Sequence, residues 1–390
     1  MDFSLSQEEE GFRQELRAFL KKELPPDWEG DDEEGSDEVW AFGLQMRKKL
    51  AAKGWLAMHW PPEYGGQNAS RIKQAIFVEE FGYFRSAGRE IYGPYIVGPT
   101  IMLYGTPEQK AFFLPRIARG EITWCQGFSE PGAGSDLANL STRAVEDGDD
   151  FVINGQKIWT SIGHRADWMF MLARSNPNVP KHKGISYLVL PVKTPGLEIR
   201  PIINMAGVHS FNETFYTDVR VPKKNLIGEK DQGWYVAMAS LNFERSGAEY
   251  VGQGLRLVEE LAAYARDTKR NGVALAKDPL VRNKIAERAV EAKIAHHLAF
   301  QVAWLQDKGQ VPDKEAAASK VFSTELLQRA TNTGMQLMGL YGQVAPGSRW
   351  APLKGRLEQL WLISFGRTHA GGTSEVQRLI IATRGLGLPR

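Results

Sequence analysis

The sequence predicts an α+β fold in which a helical segment, an antiparallel β segment and a bundle of long helices follow one another. Three observations carry this. Apolar residues recur at helical spacing over residues 1–122, drop towards a period of two over 123–232, and return to helical spacing over 233–390. Hairpin turn signals, EDGDD and Asn154-Gly155, separate short strand-like runs in the middle stretch. Strands and helices do not alternate as a doubly wound nucleotide-binding sheet would require.

In the first segment, Ser6 with Glu9 forms a capping box, Phe12, Leu16, Phe19 and Leu20 follow at helical spacing, and Pro25-Pro26 ends the helix. The stretch DWEGDDEEGSDE, residues 27–38, is dense in carboxylates with no histidine nearby and reads as solvated surface. In the middle segment, STRAV is followed by the turn EDGDD, then FVI, then Asn154-Gly155 as a type I′ hairpin turn, then QKIWT. DWMFMLA, GISYLVLPV and NETFYTDVRVP supply further strands. In the last segment three apolar stripes are expected: Leu255, Val258, Leu261 and Ala262; Val281, Ile285, Ala289 and Ala292; and Val321, Phe322, Leu326 and Ala330. Long helices of this kind pack as a bundle.

Composition narrows the function classes. A chain of 390 residues, 43% hydrophobic and 24% charged, is long enough for two or three domains with sizeable cores. Its 48 basic and 46 acidic residues leave a net charge of +2, which argues for neither nucleic acid nor an anionic membrane surface. The single cysteine, Cys125, excludes an internal disulfide framework and reads as a small core residue in a reducing compartment. The start, MDFSLSQEEEGF, lacks the basic and apolar regions of a signal peptide, and no run approaches the ~20 apolar residues of a bilayer span. A cytoplasmic chain without membrane insertion is expected.

Several chemical motifs fail. Neither G-x-x-x-x-G-K-[ST] nor G-x-G-x-x-G after a strand occurs. GFSEPG has the outline of a nucleophile elbow at Ser129, but Pro131 replaces the second glycine and no helix follows. His296 and His297 are adjacent and diverge by about 100° on a helix, so no shared metal is expected. What remains is GFSEPGAGSDLA, residues 127–138. There Gly132, Ala133 and Gly134 offer main-chain N–H groups and Ser135 a hydroxyl, a pattern that suits a flat heteroatom edge or a phosphate as well as an ordinary loop. INGQKIWTSIG, about twenty residues on, brings an indole and two hydroxyls to the same end of the β segment. An aromatic beside several amide donors suits a planar, polar-edged ring system such as a flavin.

MDFSLSQEEEGFRQELRAFL, GWLAMHWPPEYGG, YGTPEQKAFFLPRIARGE, SEPGAGSDLA, NGQKIWTSIG, DVRVPKKNLIGEKDQGW and GGTSEVQRLIIATRGLGLPR occur in that order. With them the chain resembles the acyl-CoA dehydrogenase family of flavoproteins over essentially its whole length. The resemblance implies an N-terminal helical domain, a middle β domain and a C-terminal four-helix domain, with FAD held between the last two and partly by a neighbouring subunit. It implies that Gln126, Phe128 and Ser129 lie along the flavin ring, Gly134 and Ser135 near FAD and the pantetheine, and Trp159, Thr160 and Ser161 on the other side. Thr373 and Glu375 match contacts to the ADP half of FAD, and Gln336 and Gly339 a segment supplied across a dimer interface. An acyl-CoA substrate, electron-transferring flavoprotein as acceptor and a homo-oligomer, dimer or tetramer, are likewise implied.

Two departures from the family pattern matter. The glutamate that many members carry before the C-terminal Gly-Thr is here Gly371, in HAGGTSE. The branch that includes isovaleryl-CoA dehydrogenase carries its base in an L-x-x-E-R helix instead, and SLNFERSGAE places Glu244 there, with Arg245 where the CoA moiety is met. Glu249, five residues on, would turn by about 140° on a continuous helix and face elsewhere. The resemblance thus implies Glu244 as α-proton base, hydride to flavin N5, and the Gly371 N–H on the thioester oxygen. In the segment that usually meets the adenine, Thr268 stands in an arginine slot, Asn271 before Gly272 and Pro279 in a glutamine slot, which leaves Arg270 as the cation. That segment keeps open a role as partner subunit of a heteromeric dehydrogenase, and a flavin oxidase or monooxygenase on the same fold also stays open. SIGHRADW and HSFNETFYTDVRVP look more like members acting on dicarboxylyl, cyclic or branched acyl chains, whose pocket would draw on residues 90–104 and 240–250.

Overall fold

The computed structural model describes residues 4–30, 36–241 and 247–389. Helices α1 (Gln7–Glu23), α2 (Asp37–Ala52), α3 (Arg71–Phe84), α4 (Gly98–Tyr104) and α5 (Pro107–Ala118) come first. Strands β1 (Trp124–Gly127), β2 (Arg143–Asp147), β3 (Asp150–Lys157), β4 (Trp168–Arg174), β5 (Ile185–Pro191), β6 (Leu197–Ile203), β7 (His209–Pro222) and β8 (Leu226–Ile227) follow. Then come α6 (Gly233–Leu241), α7 (Ala248–Asp267), a ribbon of β9 (Lys269–Arg270) and β10 (Val273–Ala274), α8 (Pro279–Asp307), α9 (Asp313–Met338), α10 (Arg356–Arg367) and α11 (Ser374–Ile380). The order of helical, β and helical segments agrees with the periodicity. At the start of α1 the Glu9 N–H donates to Ser6 Oγ at 3.2 Å and the Ser6 N–H to Glu9 Oε2 at 2.7 Å, the expected capping box.

Two compact units share these elements, one of Met1–Gly30, Ser70–Ser86 and Arg245–Arg390, the other of Asp31–Ala69 and Ala87–Glu244. In the first, α9 is the central helix and buries Val321, Leu326, Leu327, Ala330 and Leu337. Its buried Ser323, Thr324 and Thr331 satisfy their hydroxyls on carbonyls four residues back. On α7 the buried face is Val251, Leu257, Val258, Leu261 and Ala265; Leu255 and Ala262, expected in the stripe, sit half-buried at its edge.

Where α3 meets α7, both carry glycine. A Cβ on Gly252 would stand 2.0 Å from the Glu79 carbonyl oxygen, and one on Gly82 would stand 2.3 Å from that of Glu249. Backbone cannot yield as a side chain can, so Gly252→Ala should part the helices and destabilise by about 1–3 kcal/mol. At Gly254 a Cβ would meet only Leu326, at 3.4 Å. Gly254→Ala should therefore hold or raise stability, because alanine favours the helix. Thermal unfolding of the two variants side by side checks the pair of expectations.

In the second unit one sheet runs in the order β6-β7-β3-β2-β4-β5-β8, mostly antiparallel, while β1 lies parallel to β4 and β2 meets β4 in parallel at its first residue. β4 and β5 are buried on both faces, which is why DWMFMLA and GISYLVLPV read as unbroken apolar runs. Phe170 and Leu172 join Trp60, Phe113, Trp124 and Tyr187 on one side, and Met169 and Met171 join Cys125, Phe151, Ile153 and Tyr216 on the other. Cys125 is fully buried, and burial raises its thiol above the ordinary range, as suits a core residue.

Asn154-Gly155 is not a hairpin turn. β3 runs straight through it, and the pairing with β7 slips between Ile153 and Gly155, so the dipeptide forms a β-bulge. Glycine is required by close approach: with φ +149°, a Cβ on Gly155 would stand 2.6 Å from Thr142 Oγ1. The Asn154 side chain is used on β7, accepting from Asp218 N at 2.9 Å and donating to Asp218 Oδ1 at 3.0 Å. The turn of this hairpin is EDGDD, where Asp147 pairs with Asp150 and Gly148 takes φ +59°.

Candidate functional site

The loop that leaves β1 carries the first group of expected site residues. Gln126 and Ser129 are half-buried, and Gly134 and Ser135 are exposed. Phe128 turns inward: its ring meets Phe170 edge-on at 5.4 Å and Tyr187 at 6.1 Å, so only its backbone faces the loop. Glu130 and Ala133 exchange main-chain hydrogen bonds of 3.1 and 3.0 Å, which close a tight turn. The Ala133 N–H, expected to point outward, is thereby consumed. Gly132 and Gly134 remain bare, since a Cβ on either would meet nothing within 4 Å.

A buried ion pair fixes this loop to β3. Lys157 Nζ, 0% exposed, donates to Glu130 Oε1 at 2.8 Å and to the Phe128 carbonyl at 3.0 Å. Glu130 also accepts from Ser141 N at 2.7 Å, Ser141 Oγ at 2.8 Å and Thr142 N at 2.9 Å. Burial alone would raise the Glu130 carboxyl, but the Lys157 charge and these donors bring it down to about 2. Burial pulls the Lys157 ammonium down to about 8 against the pull of Glu130. Both groups are therefore charged at neutral pH. Neither was singled out from the sequence; the readable signal was a charged residue in each of the two motifs that the loop brings together.

Beyond Lys157 the strand makes a second bulge. Lys157 pairs with Thr214, and Thr160 exchanges hydrogen bonds of 3.0 and 3.1 Å with Asn212, three residues along one strand against two on the other. The extra residue, Trp159, takes φ +63°, and its indole is 56% exposed, edge-on to Phe211 at 5.9 Å. Ile162 also lies at positive φ, +50°. Left-handed backbone costs a residue with a Cβ roughly 1–2 kcal/mol, so this turn is held under strain by its surroundings. Thr160 is fully buried, and its Oγ1 has no hydrogen-bond partner among the described residues. Ser161 is half-buried. A bare hydroxyl, an outward indole and two open glycines fit a large planar ligand with polar edges.

The remaining candidates lie on the other unit. Gly371 and Gly372 take φ +64° and +90°, Gln377 Nε2 donates to the Gly371 carbonyl at 3.0 Å, and a Cβ on Gly371 would meet nothing within 4 Å. Thr373 caps α11, accepting from Val376 N at 3.2 Å, and Glu375 stands exposed in its first turn. Beside this segment Lys320 donates to the Thr368 carbonyl at 3.1 Å, and burial lowers it to about 8. Gln336 and Gly339 are exposed at the end of α9, and Gln336 Oε1 accepts from Lys284 at 2.7 Å. Over residues 268–279 the departures from the family pattern serve the fold. Asn271 and Gly272, φ +51° and +80°, make the β9–β10 turn, and Pro279 opens α8 behind the cap Asp278. Thr268 ends α7, and Arg270 is exposed, with Nη2 reaching the Leu337 carbonyl at 3.4 Å.

Glu244 and Arg245 lie outside the described residues. Gly247 takes φ +73° and caps α7, which begins at Ala248 and carries Glu249 in its first turn. Of the segment considered for the acyl pocket, Tyr95, Ile96, Val97 and Ile101 are buried, while Leu103 and Tyr104 are 60% and 39% exposed.

Comparison with known proteins agrees with this layout. Family models described as the N-terminal, middle and C-terminal domains of acyl-CoA dehydrogenase match residues 6–121, 125–219 and 231–386. The acyl-CoA dehydrogenase FadE26 of Mycobacterium tuberculosis is 38% identical over 100% of this chain and 99% of its own length. Among solved structures, the Tcur3481-Tcur3483 steroid ACAD matches with a TM-score of 0.92 and 36% identity over 100% of both chains. The ChsE4-ChsE5 complex from Mycobacterium tuberculosis matches with 0.89 and 37%, again over 100% of both. With three domains matched in order, and the open turns at residues 126–161 and 371–375 each on the corresponding domain, the chain belongs to the acyl-CoA dehydrogenase family, FAD-binding oxidoreductases that act on CH–CH bonds.

Proposed function

We propose that the chain dehydrogenates the α,β bond of an acyl-CoA thioester to the trans-2-enoyl product, with Glu244 taking the α-proton. The observation that supports this most is Gly371: glycine at φ +64° has no group to accept a proton, so the carboxylate that the family pattern leaves is Glu244. Bound FAD supplies the acceptor for the hydrogen leaving the β-carbon. Trp159, Thr160 Oγ1, Ser161 and the bare loop at Gly132 and Gly134, with the Gln126 and Ser129 positions, would hold the ring system, and Thr373, Glu375 and Arg270 its ADP half. Ser135 and Arg245 would meet the CoA arm. The Gly371 N–H would face the thioester oxygen, where negative charge grows as the α-proton leaves; one such donor contributes ~3 kcal/mol to the transition state. The base must approach the α-carbon within roughly 3–3.5 Å and from the face opposite the acceptor. Anaerobic addition of acyl-CoA thioesters to the yellow enzyme should bleach the flavin, and the reduced enzyme with product bound should reoxidise slowly in air. Rapid reoxidation would favour an oxidase.

A second feature bears on assembly and substrate. Asn271, Gly272 and Pro279 are committed to a turn and a helix start, which leaves little at the usual adenine contacts. Two of the structures that match over the full length are named as pairs of proteins, one of them a steroid ACAD. We infer a heteromer in which a second chain of the family shares the cofactor site, acting on a bulky, steroid-derived acyl-CoA, with electron-transferring flavoprotein as acceptor. Purification from the native host should yield an equimolar second acyl-CoA dehydrogenase chain, and steroid side-chain thioesters should bleach the flavin faster than straight-chain ones. A homotetramer with one FAD per chain would overturn the heteromer.

A further inference from the structure

SIGHRADW and the start of β7, the strand HSFNETFYTDVRVP, meet behind the Trp159 bulge. The rings of His164 and His209 stack with centroids 3.8 Å apart and planes 19° from parallel. Asn212, 0% exposed on β7, joins both to the turn: its Nδ2 donates to the Thr160 carbonyl at 2.9 Å and lies 3.2 Å from His164 Nδ1, and its Oδ1 lies 2.8 Å from His209 Nε2.

These contacts fix one another. A carbonyl only accepts, so the atom of Asn212 on Thr160 O must be the amide nitrogen. The same nitrogen then meets His164 Nδ1, which must be bare, and the amide oxygen must receive a proton from His209 Nε2. The arrangement closes only with a neutral His164. It supports the turn where support is needed, between the two non-glycine residues at positive φ, Trp159 and Ile162.

We propose that Asn212 and the stacked His164–His209 pair are positioning residues that lock the turn Trp159–Ser161 in its cofactor-facing form while His164 is neutral. The cofactor-facing part rests on the family placing of that turn against FAD. The groups facing His164 agree with a neutral ring. His164 is exposed at the surface, and the burial of part of its ring, the His209 ring and Arg165 hold it down to about 4, with Asp37, paired to Arg165 at 3.1 Å, among the groups opposing. The sign follows from linkage. Once the turn opens, His164 regains its ordinary value of 6.5 and takes up a proton that the locked form refuses, so the lock is complete above that value and weakens as pH falls from 6.5 towards about 4. Across that window the opening constant rises by at most about tenfold per pH unit.

The test is hydrogen–deuterium exchange of the peptide spanning residues 158–163 in the holoenzyme, corrected for intrinsic exchange, together with FAD release. The comparison is between about pH 7.5 and about pH 5, where the wild type should open roughly 25- to 30-fold more at the lower pH. In His164→Asn/His209→Gln the asparagine oxygen can stand for Nδ1 and the glutamine nitrogen for Nε2, and neither titrates, so the change should stay below about twofold. Asn212→Ala should expose the turn and loosen FAD already at the higher pH. Equal pH dependence in the wild type and the double variant would overturn the proposal, as would an Asn212→Ala enzyme with full protection and tight FAD. A protein that shows the exchange pattern but holds no FAD would sink the placing of the cofactor on this turn and leave the lock standing.

Discussion

Glu244→Gln should bind FAD and acyl-CoA as the wild type does and yet lose flavin reduction by roughly 10²–10⁴-fold, the usual contribution of a positioned general base. Glutamine keeps the volume and the hydrogen-bonding edge of the carboxylate and removes its basicity, so a loss in the chemical step alone separates base from scaffold. Glu249→Gln is the matched control. Glu249 sits in the first turn of α7, on the far side of Gly247 from Glu244, and its replacement should keep reduction within about tenfold, ~1.4 kcal/mol of barrier. Rapid anaerobic mixing with a thioester that bleaches the wild type reads both variants. Full activity in Glu244→Gln would move the base to another carboxylate or to a partner chain. Gly371→Glu in the Glu244→Gln background adds a gain-of-function arm: the position has open space around it, although φ +64° strains any side chain there. Rescue would put residues 244 and 371 at one reacting carbon.

What could be read in advance followed from how local its physics is. The capping box at Ser6 and Glu9 involves four consecutive residues and was legible, as were the double-sided runs of β4 and β5. Asn154-Gly155 misled because the same dipeptide serves an I′ turn or a bulge, and the choice is made by Thr142, which reaches Gly155 only in the folded sheet. Trp159 was legible as an indole at the end of the β segment, but the bulge that aims it depends on the register of Thr214 and Asn212, more than fifty residues away. The resemblance placed Phe128 along the flavin but could not say which way its ring turns; the alternation that begins in β1 carries that ring into the core with Phe170 and Tyr187. Lys157 and Glu130 were passed over because a charged side chain read alone is assigned to solvent. Only the hairpin geometry brings each to the other's burial.

Lys157→Met should destabilise the protein by about 3–5 kcal/mol, the usual cost of removing one partner from a buried pair. Methionine fills much of the lysine's volume, so the loss would report charge and hydrogen bonding more than a cavity. It strands the Glu130 carboxylate, 5% exposed, on Ser141 and Thr142, and it frees the Phe128 carbonyl. Adding Glu130→Gln should recover part of the loss, since the unpaired charge goes, and the double-mutant cycle on unfolding midpoints gives the coupling directly. FAD should loosen in the single variant, because the same lysine ties the loop of Ser129 and Gly134 to the strand that leads into Trp159. The pH profile supplies a further sign. Glu130 falls from 4.5 to about 2 in the fold, so its stabilisation is complete above pH 4.5 and is lost as pH drops towards 2. Glu130→Gln should therefore flatten the acid limb of the stability curve in that window. A Lys157→Met midpoint equal to the wild type's, or a double variant no more stable than the single, would show that the pair does not hold the loop.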